Sequence, residues 1–224
     1  MEFNPNTAPE FSPSATIEPE PEIDMEGGVS PYAPPEAYAP PSKDEEIPYE
    51  NMHPFLQEFI DEHNAYTKEL NVFEATIAMI EGGNVDKTMD ERLRQFFSYF
   101  EDKVVKHNQD EEKYLFPRIT KKMKAEGEHS KSDNNFTVID VLEDDHVKSI
   151  QLASVAFNMF ALFSRVPDER SRYMILDIAL NQSKELLELL RVHIFREDTI
   201  IFTYAQRNFS DEELTEIQQK TKGV

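Results

Sequence analysis

Four stretches of this chain space apolar side chains three and four residues apart, and each stretch puts a histidine at one position of its apolar stripe. From Pro54 to about Glu81 the stripe is Phe55, Phe59, Tyr66, Leu70, Phe73, Ile77 and Ile80, with His63 in the gap. A second runs Leu93, Phe96, Phe100, Val104, His107, Glu111, Leu115. A third runs Ile139, Leu142, His146, Ile150, Ala153, Phe157, Phe160, and a fourth Leu176, Leu180, Ser183, Leu187, Leu190, His193, Glu197, Ile201. That period belongs to helices with one buried face, and no segment alternates as a strand does. Helices of about 25–35 residues would be on the order of 40–50 Å long. The expected fold is all-α, an antiparallel four-helix bundle.

Punctuation between the stretches agrees. Gly82 and Gly83 should stop the first helix, and Thr88-Met89-Asp90-Glu91 has the form of a capping box opening the second. Pro117 should end the second, with a polar loop from Lys121 to Asn135. Thr137 with Asp140 opens the third helix, and Pro167 and Asp168 precede the fourth. Ser210 with Glu213 caps a short fifth helix.

Before residue 50 the composition changes. Residues 1–50 hold 11 of the 14 prolines, and twelve acidic residues against Lys43 alone account for −11 of the net charge of −21. Such a segment cannot sustain a helix or bury a core, so the expected domains are a disordered acidic tail over 1–50, a bundle over 51–208 and a C-terminal helix over 209–224. The near-repeat Tyr-Ala-Pro-Pro at Tyr32 and Tyr38 is a candidate motif for docking an unknown protein; a solubilising tail is the plainer reading. The net charge repels phosphate backbones and anionic membranes, which argues against nucleic acid and membrane partners. MEFNPNTAPEF has neither a basic start nor an apolar run, and no later segment is of spanning length, so a cytoplasmic protein is expected.

The chain has no cysteine, which excludes disulfides, thiolate metal sites, iron–sulfur clusters and a thiol nucleophile. What remains for metal chemistry is imidazole and carboxylate, donors suited to iron, manganese, zinc or copper. His-x-x-x-Glu occurs twice, at His107/Glu111 and His193/Glu197, and residues four apart lie one turn apart on one face. One such spacing is weak, and one buried histidine is ordinarily a hydrogen-bonded core residue. Four histidines, one per helix, with two in-phase glutamates are another matter: a buried cluster of this kind needs compensating charge, and a metal pair supplies it. Each ion would take two imidazoles, with the glutamates between them.

The motifs His107-Asn-Gln-Asp-Glu111-Glu112-Lys-Tyr-Leu115-Phe116-Pro117 and His193-Ile-Phe-Arg-Glu197-Asp-Thr-Ile-Ile201-Phe202 resemble the paired signatures of the hemerythrin-like, HHE cation-binding domain. Asp61-Glu62-His63 and Glu143-Asp144-Asp145-His146 are similar to that family's first- and third-helix histidine segments, so the resemblance covers roughly residues 50–205. It implies two non-heme, carboxylate-bridged iron ions held by His63, His107, Glu111, His146, His193 and Glu197. It also implies binding of dioxygen, nitric oxide or peroxide. The family's oxygen carriers have a second histidine four residues from the one on helix three; here those neighbours are Leu142 and Ile150. One iron would then lack a nitrogen unless Glu143 reaches in. An iron–sulfur repair subgroup has an extra histidine after helix one, and none lies between His63 and His107. The more open pair suits redox chemistry or sensing over stable oxygen carriage.

Alternatives differ in what surrounds the metal. A ferritin-like site needs Glu-x-x-His on two helices, and Glu143-x-x-His146 is the single instance. A module regulated by iron or oxygen, and a metal buffer without oxygen chemistry, both use the same six ligands. No side chain stands out as an acid–base catalyst, so turnover is left open. Glu112 and Asp198 should rotate about 100° off the stripe into solvent. Tyr66 and Tyr114 are within a turn of proposed ligands and either could hydrogen-bond a bound oxygen ligand; core packing with the hydroxyl at the bundle edge is the plainer expectation. His53 and His129 read as structural or exposed.

Overall fold

The computed structural model describes residues 47–83, 87–130 and 133–223. Residues 1–46 of the acidic tail, with the Tyr32/Tyr38 repeat, lie outside the described residues; Tyr49–Asn51 form a single 3-10 turn. No strand occurs among the described residues.

Helix α1 is Pro54–Glu81, and the His53 side chain accepts from the Phe55 N–H at its start. Five helical segments then follow one another without a break: Lys87–Tyr99, Phe100–Val104, Val105–Asp110, Glu111–Leu115 and Phe116–Glu126. This run, residues 87–126, is α2. It already begins at Lys87, so Thr88 lies inside it. Helix α3 is Val138–Phe163, opened by the Thr137/Asp140 capping box. Glu169–Arg196, Glu197–Ile201 and Phe202–Asn208 form one further run, residues 169–208, which is α4, capped by Asp168. Helix α5 is Asp211–Thr221, and the Ser210/Glu213 box is formed.

The expected end of the second helix at Pro117, and the loop from Lys121, are corrected by the structure: α2 runs on to Glu126. Two features allow it. The turn Glu111–Leu115 is a π turn, in which the Phe116 N–H reaches back five residues to Glu111 O, so Pro117 follows a ladder that has already changed register. Beyond it, Ile119 and Met123 face the core while the lysines around them face outward. Gly127, at φ 81°, then ends the helix in the left-handed conformation that glycine adopts without strain.

A second correction concerns α3. Ile150 and Phe157, expected on the buried stripe, are 42% and 47% exposed. Ala153 is buried as expected, and Ser149, Leu152 and Ala156 take the other inward positions. A period of 3.6 permits either neighbour, and small residues let α3 lie close along α4, its most extensive partner.

Two separate apolar cores result. The lower one gathers Phe55, Phe59, Leu115, Phe116, Ile139, Leu142, Ile201 and Phe202, with Leu214 and Ile217 of α5. The upper one gathers Leu70, Phe73, Ile77, Phe96, Phe100, Leu152, Leu187 and Leu190. On every long helix a histidine stands near the crossover from one core to the other. Along α1 and α3 the lower core comes first, along α2 and α4 the upper, as antiparallel neighbours require.

Candidate metal centre

Between the two cores lies a layer of buried polar groups. His63, His146 and His193 keep 3–5% of their side-chain surface and His107 keeps 9%, while Glu111 and Glu197 keep none. Their ligating atoms form two groups that share both glutamates: His63, His107, Glu111 and Glu197; and Glu111, His146, His193 and Glu197. Nε2 of His63 is 2.9 Å from Nε2 of His107, and Nε2 of His146 is 3.0 Å from Nε2 of His193. The carboxylates sit between the pairs. Glu197 is 3.2 Å from His63 and 3.1 Å from His193; Glu111 is 3.4 Å from His107 and 3.7 Å from His146. None of these four oxygens has the alignment of a hydrogen bond. Glu143 is exposed on α3 and belongs to neither group.

The far side of each imidazole is also occupied, and the sequence reasoning missed this. His63 Nδ1 is 2.7 Å from Asp198, His107 Nδ1 is 2.6 Å from Glu62 and His146 Nδ1 is 2.8 Å from Glu112. His193 Nδ1 faces Asp145 at 3.6 Å, too far for a hydrogen bond, because the same Asp145 oxygen takes Arg196 at 3.0 Å. Each of these carboxylates adjoins one residue of the six in sequence and serves a histidine on another helix. The contacts run α1 to α2, α2 to α3, α3 to α4 and α4 back to α1, so they close a ring around the bundle.

Glu112 and Asp198 do keep solvent contact, at 41% and 34% of their side-chain surface, but each also turns one oxygen onto a histidine of another helix, which a uniform 100° per residue did not announce. Each is the second residue of a π turn, Glu111–Leu115 or Glu197–Ile201, whose wider winding keeps it beside the glutamate before it. The legible signal was the doubled pairs Glu62-His63, Glu111-Glu112, Asp145-His146 and Glu197-Asp198.

The electrostatics follow from burial and proximity. Burial alone would lower the imidazoles, but the facing carboxylates outweigh it. His63 is raised and His107 well raised, and Glu197 with Asp145 and Glu111 takes His193 to about 10. Burial would raise the Glu197 carboxyl, yet the facing His193, with His146 and His63, holds it well below the usual range. The hydrogen bond with His107 likewise lowers Glu62.

A cation pair fits these residues. Imidazoles that give their Nδ1–H to Asp198, Glu62 and Glu112 present Nε2 lone pairs toward one another, with four bare carboxylate oxygens between them. Lone pairs 2.9–3.0 Å apart beside buried anions are costly, unless protons or metal ions intervene. Aromatic rings close the layer on one side: Phe202 stacks on His63, Phe116 stacks on His146, and Phe59 packs edge-on to His107. His53 is a helix cap and His129 bonds the neighbouring Ser130 carbonyl, both away from the centre.

Comparison with protein families gives a match over most of the bundle. The model of the hemerythrin HHE cation binding domain matches residues 55–205, a span that takes in all six converging side chains. Comparisons with curated proteins and with solved structures return no match.

Proposed function

The chain belongs to the hemerythrin HHE cation-binding domain family, and we propose that its six converging side chains hold two non-heme iron ions that bind dioxygen or a related small oxidant such as nitric oxide or peroxide. The pair of overlapping ligand groups carries this reading. His63 and His107 would serve one ion, His146 and His193 the other, with Glu111 and Glu197 bridging. Four protein donors per ion leave octahedral positions open. Bound iron would supply one-electron redox change and room for a small ligand.

The chain's own part is to hold and to exclude. Asp198, Glu62 and Glu112 fix three of the imidazoles in the tautomer that offers Nε2 inward. Phe59, Phe116 and Phe202 keep water from the lower side of the layer. If the two apolar cores suffice to keep a metal-free chain folded, the bundle needs no ion to order it. Such a stable metal-free chain would favour a carrier or redox role, whereas partial unfolding on loss of metal would favour a module that orders on binding iron. No helix among the described residues is long and apolar enough to cross a membrane.

The test is metal analysis of the full chain, joined to an optical spectrum before and after anaerobic reduction and return to air. Two irons per chain, with near-ultraviolet absorption that bleaches and returns, is the expected result. Zinc in place of iron, or iron indifferent to air, would make the protein a metal store without oxygen chemistry. A chain that takes up no metal would sink the reading.

A further inference from the structure

A cavity of about 520 Å³ lies between α1 and α2, lined by His63, His107, Tyr66, Tyr99, Ala65 and Val104 among others. It touches the two histidines of one ligand group, and His107 is the least buried of the four imidazoles. Tyr66 stands one turn beyond His63, which places both on the same face of α1. Its ring is buried in the upper core. Its hydroxyl is not at the bundle edge: it is fully enclosed and has no hydrogen-bond partner.

That hydroxyl is unusual within this molecule. Every other buried side-chain polar atom without a partner, among the described residues, belongs to the His/Glu centre itself, on Glu111, Glu197 or His193. A buried hydroxyl left unpaired destabilises the fold, so a tyrosine here where phenylalanine would pack as well points to an acceptor that arrives from outside. Burial also raises its ionisation well above the ordinary tyrosine range, so it stays a donor.

We propose that this cavity is the path by which the small ligand reaches the His63/His107 ion, and that the Tyr66 hydroxyl donates a hydrogen bond to that ligand. The proposal rests on the two-ion reading above. The ligand it fits is a molecule of two or three atoms with an acceptor end. Exposed Lys103 and Lys106 at the rim are offset by Asp61, Glu62 and Asp110, so the mouth does not select strongly for charge.

The experiment uses the full iron-loaded chain and azide as the probe, with affinity and association rate expressed per iron bound. Tyr66→Phe should weaken azide by roughly tenfold, the scale of one hydrogen bond to a charged acceptor. Ala65→Trp, which fills the outer cavity, should slow association several-fold while leaving the equilibrium affinity nearly unchanged. In metal-free protein Tyr66→Phe should melt no lower than the parent, because the hydroxyl it removes has no partner. Azide affinity within twofold of the parent, or a clear loss of metal-free stability, would overturn the role of Tyr66. An unchanged association rate in Ala65→Trp would overturn the path. In each of those cases the bound irons would leave the metal reading standing, whereas a parent chain that binds no metal would overturn both.

Discussion

Asp198 on α4 holds the Nδ1 of His63 on α1 at 2.7 Å, across 135 positions of sequence, while the residue before it, Glu197, lies on the opposite side of the same ring. One π turn thus gives α4 two carboxylates for one imidazole. One of them faces the buried polar layer and the other fixes the ring.

Removing the outer carboxylate should therefore weaken metal binding without removing a ligand. Asp198→Ala and Glu112→Ala are each expected to lower affinity by about 10–100-fold, the usual cost of losing a partner of a metal-bound histidine. Competition against a chelator of known affinity measures it. Unchanged affinity in both variants would mean that the ring of interhelical contacts has no influence on the centre. Asp145→Ala should cost less, because Asp145 is shared with Arg196 and makes no hydrogen bond to His193.

The two glutamates differ from the histidines in being common to both ligand groups. Glu111→Ala should accordingly reduce both sites together, toward no bound metal, whereas His193→Ala should leave the His63/His107 side better occupied than its own. Metal stoichiometry of the purified variants decides this. Equal loss in both variants would argue against a shared role for Glu111.

How much of this was legible in the sequence depends on winding. The period of 3.6 located all four helices, the four buried histidines and both glutamates, because burial of a stripe is a property of the average turn. It failed where the turn is not average. Pro117 reads as a stop, since nothing local announces the π turn that precedes it. Glu112 and Asp198 read as solvated, and they are partly so, but the same π turns also set an oxygen of each on a histidine; Ile150 reads as core because apolar character outweighs the room α4 leaves for Ser149. The partner of each histidine is on another helix, so no spacing within one helix could have revealed it.

In the metal-free protein, pH should act in a definite direction. His193 is raised from its ordinary 6.5 to about 10, and His63 and His107 are raised as well. A group raised on folding gives stability that is complete below its unfolded value and is lost as pH rises through the folded one. Metal-free protein should therefore melt progressively lower between about 6.5 and about 10. Metal uptake at neutral pH must displace those protons, so calorimetry in buffers of different ionisation heat should show proton release. Melting temperatures flat across that interval would show that the imidazoles are not held protonated.

The separation of the two cores by the polar layer gives the last test. Phe73 and Phe96 lie face to face in the upper core, their centroids 3.7 Å apart and their planes within 2°. Both rings are almost wholly buried, so Phe73→Ala leaves a cavity that its neighbours can fill only in part. The expected cost is about 3–5 kcal/mol of stability. Phe73 lies nearly three helical turns beyond His63 on α1, and the lower core anchors the other end of every long helix. Metal stoichiometry should therefore survive in the folded fraction. Thermal unfolding and metal analysis of the same sample distinguish the outcomes. A lower melting temperature with full metal content supports a centre seated between two independently packed cores. Metal loss in step with stability would show that the layer depends on the upper core for its shape.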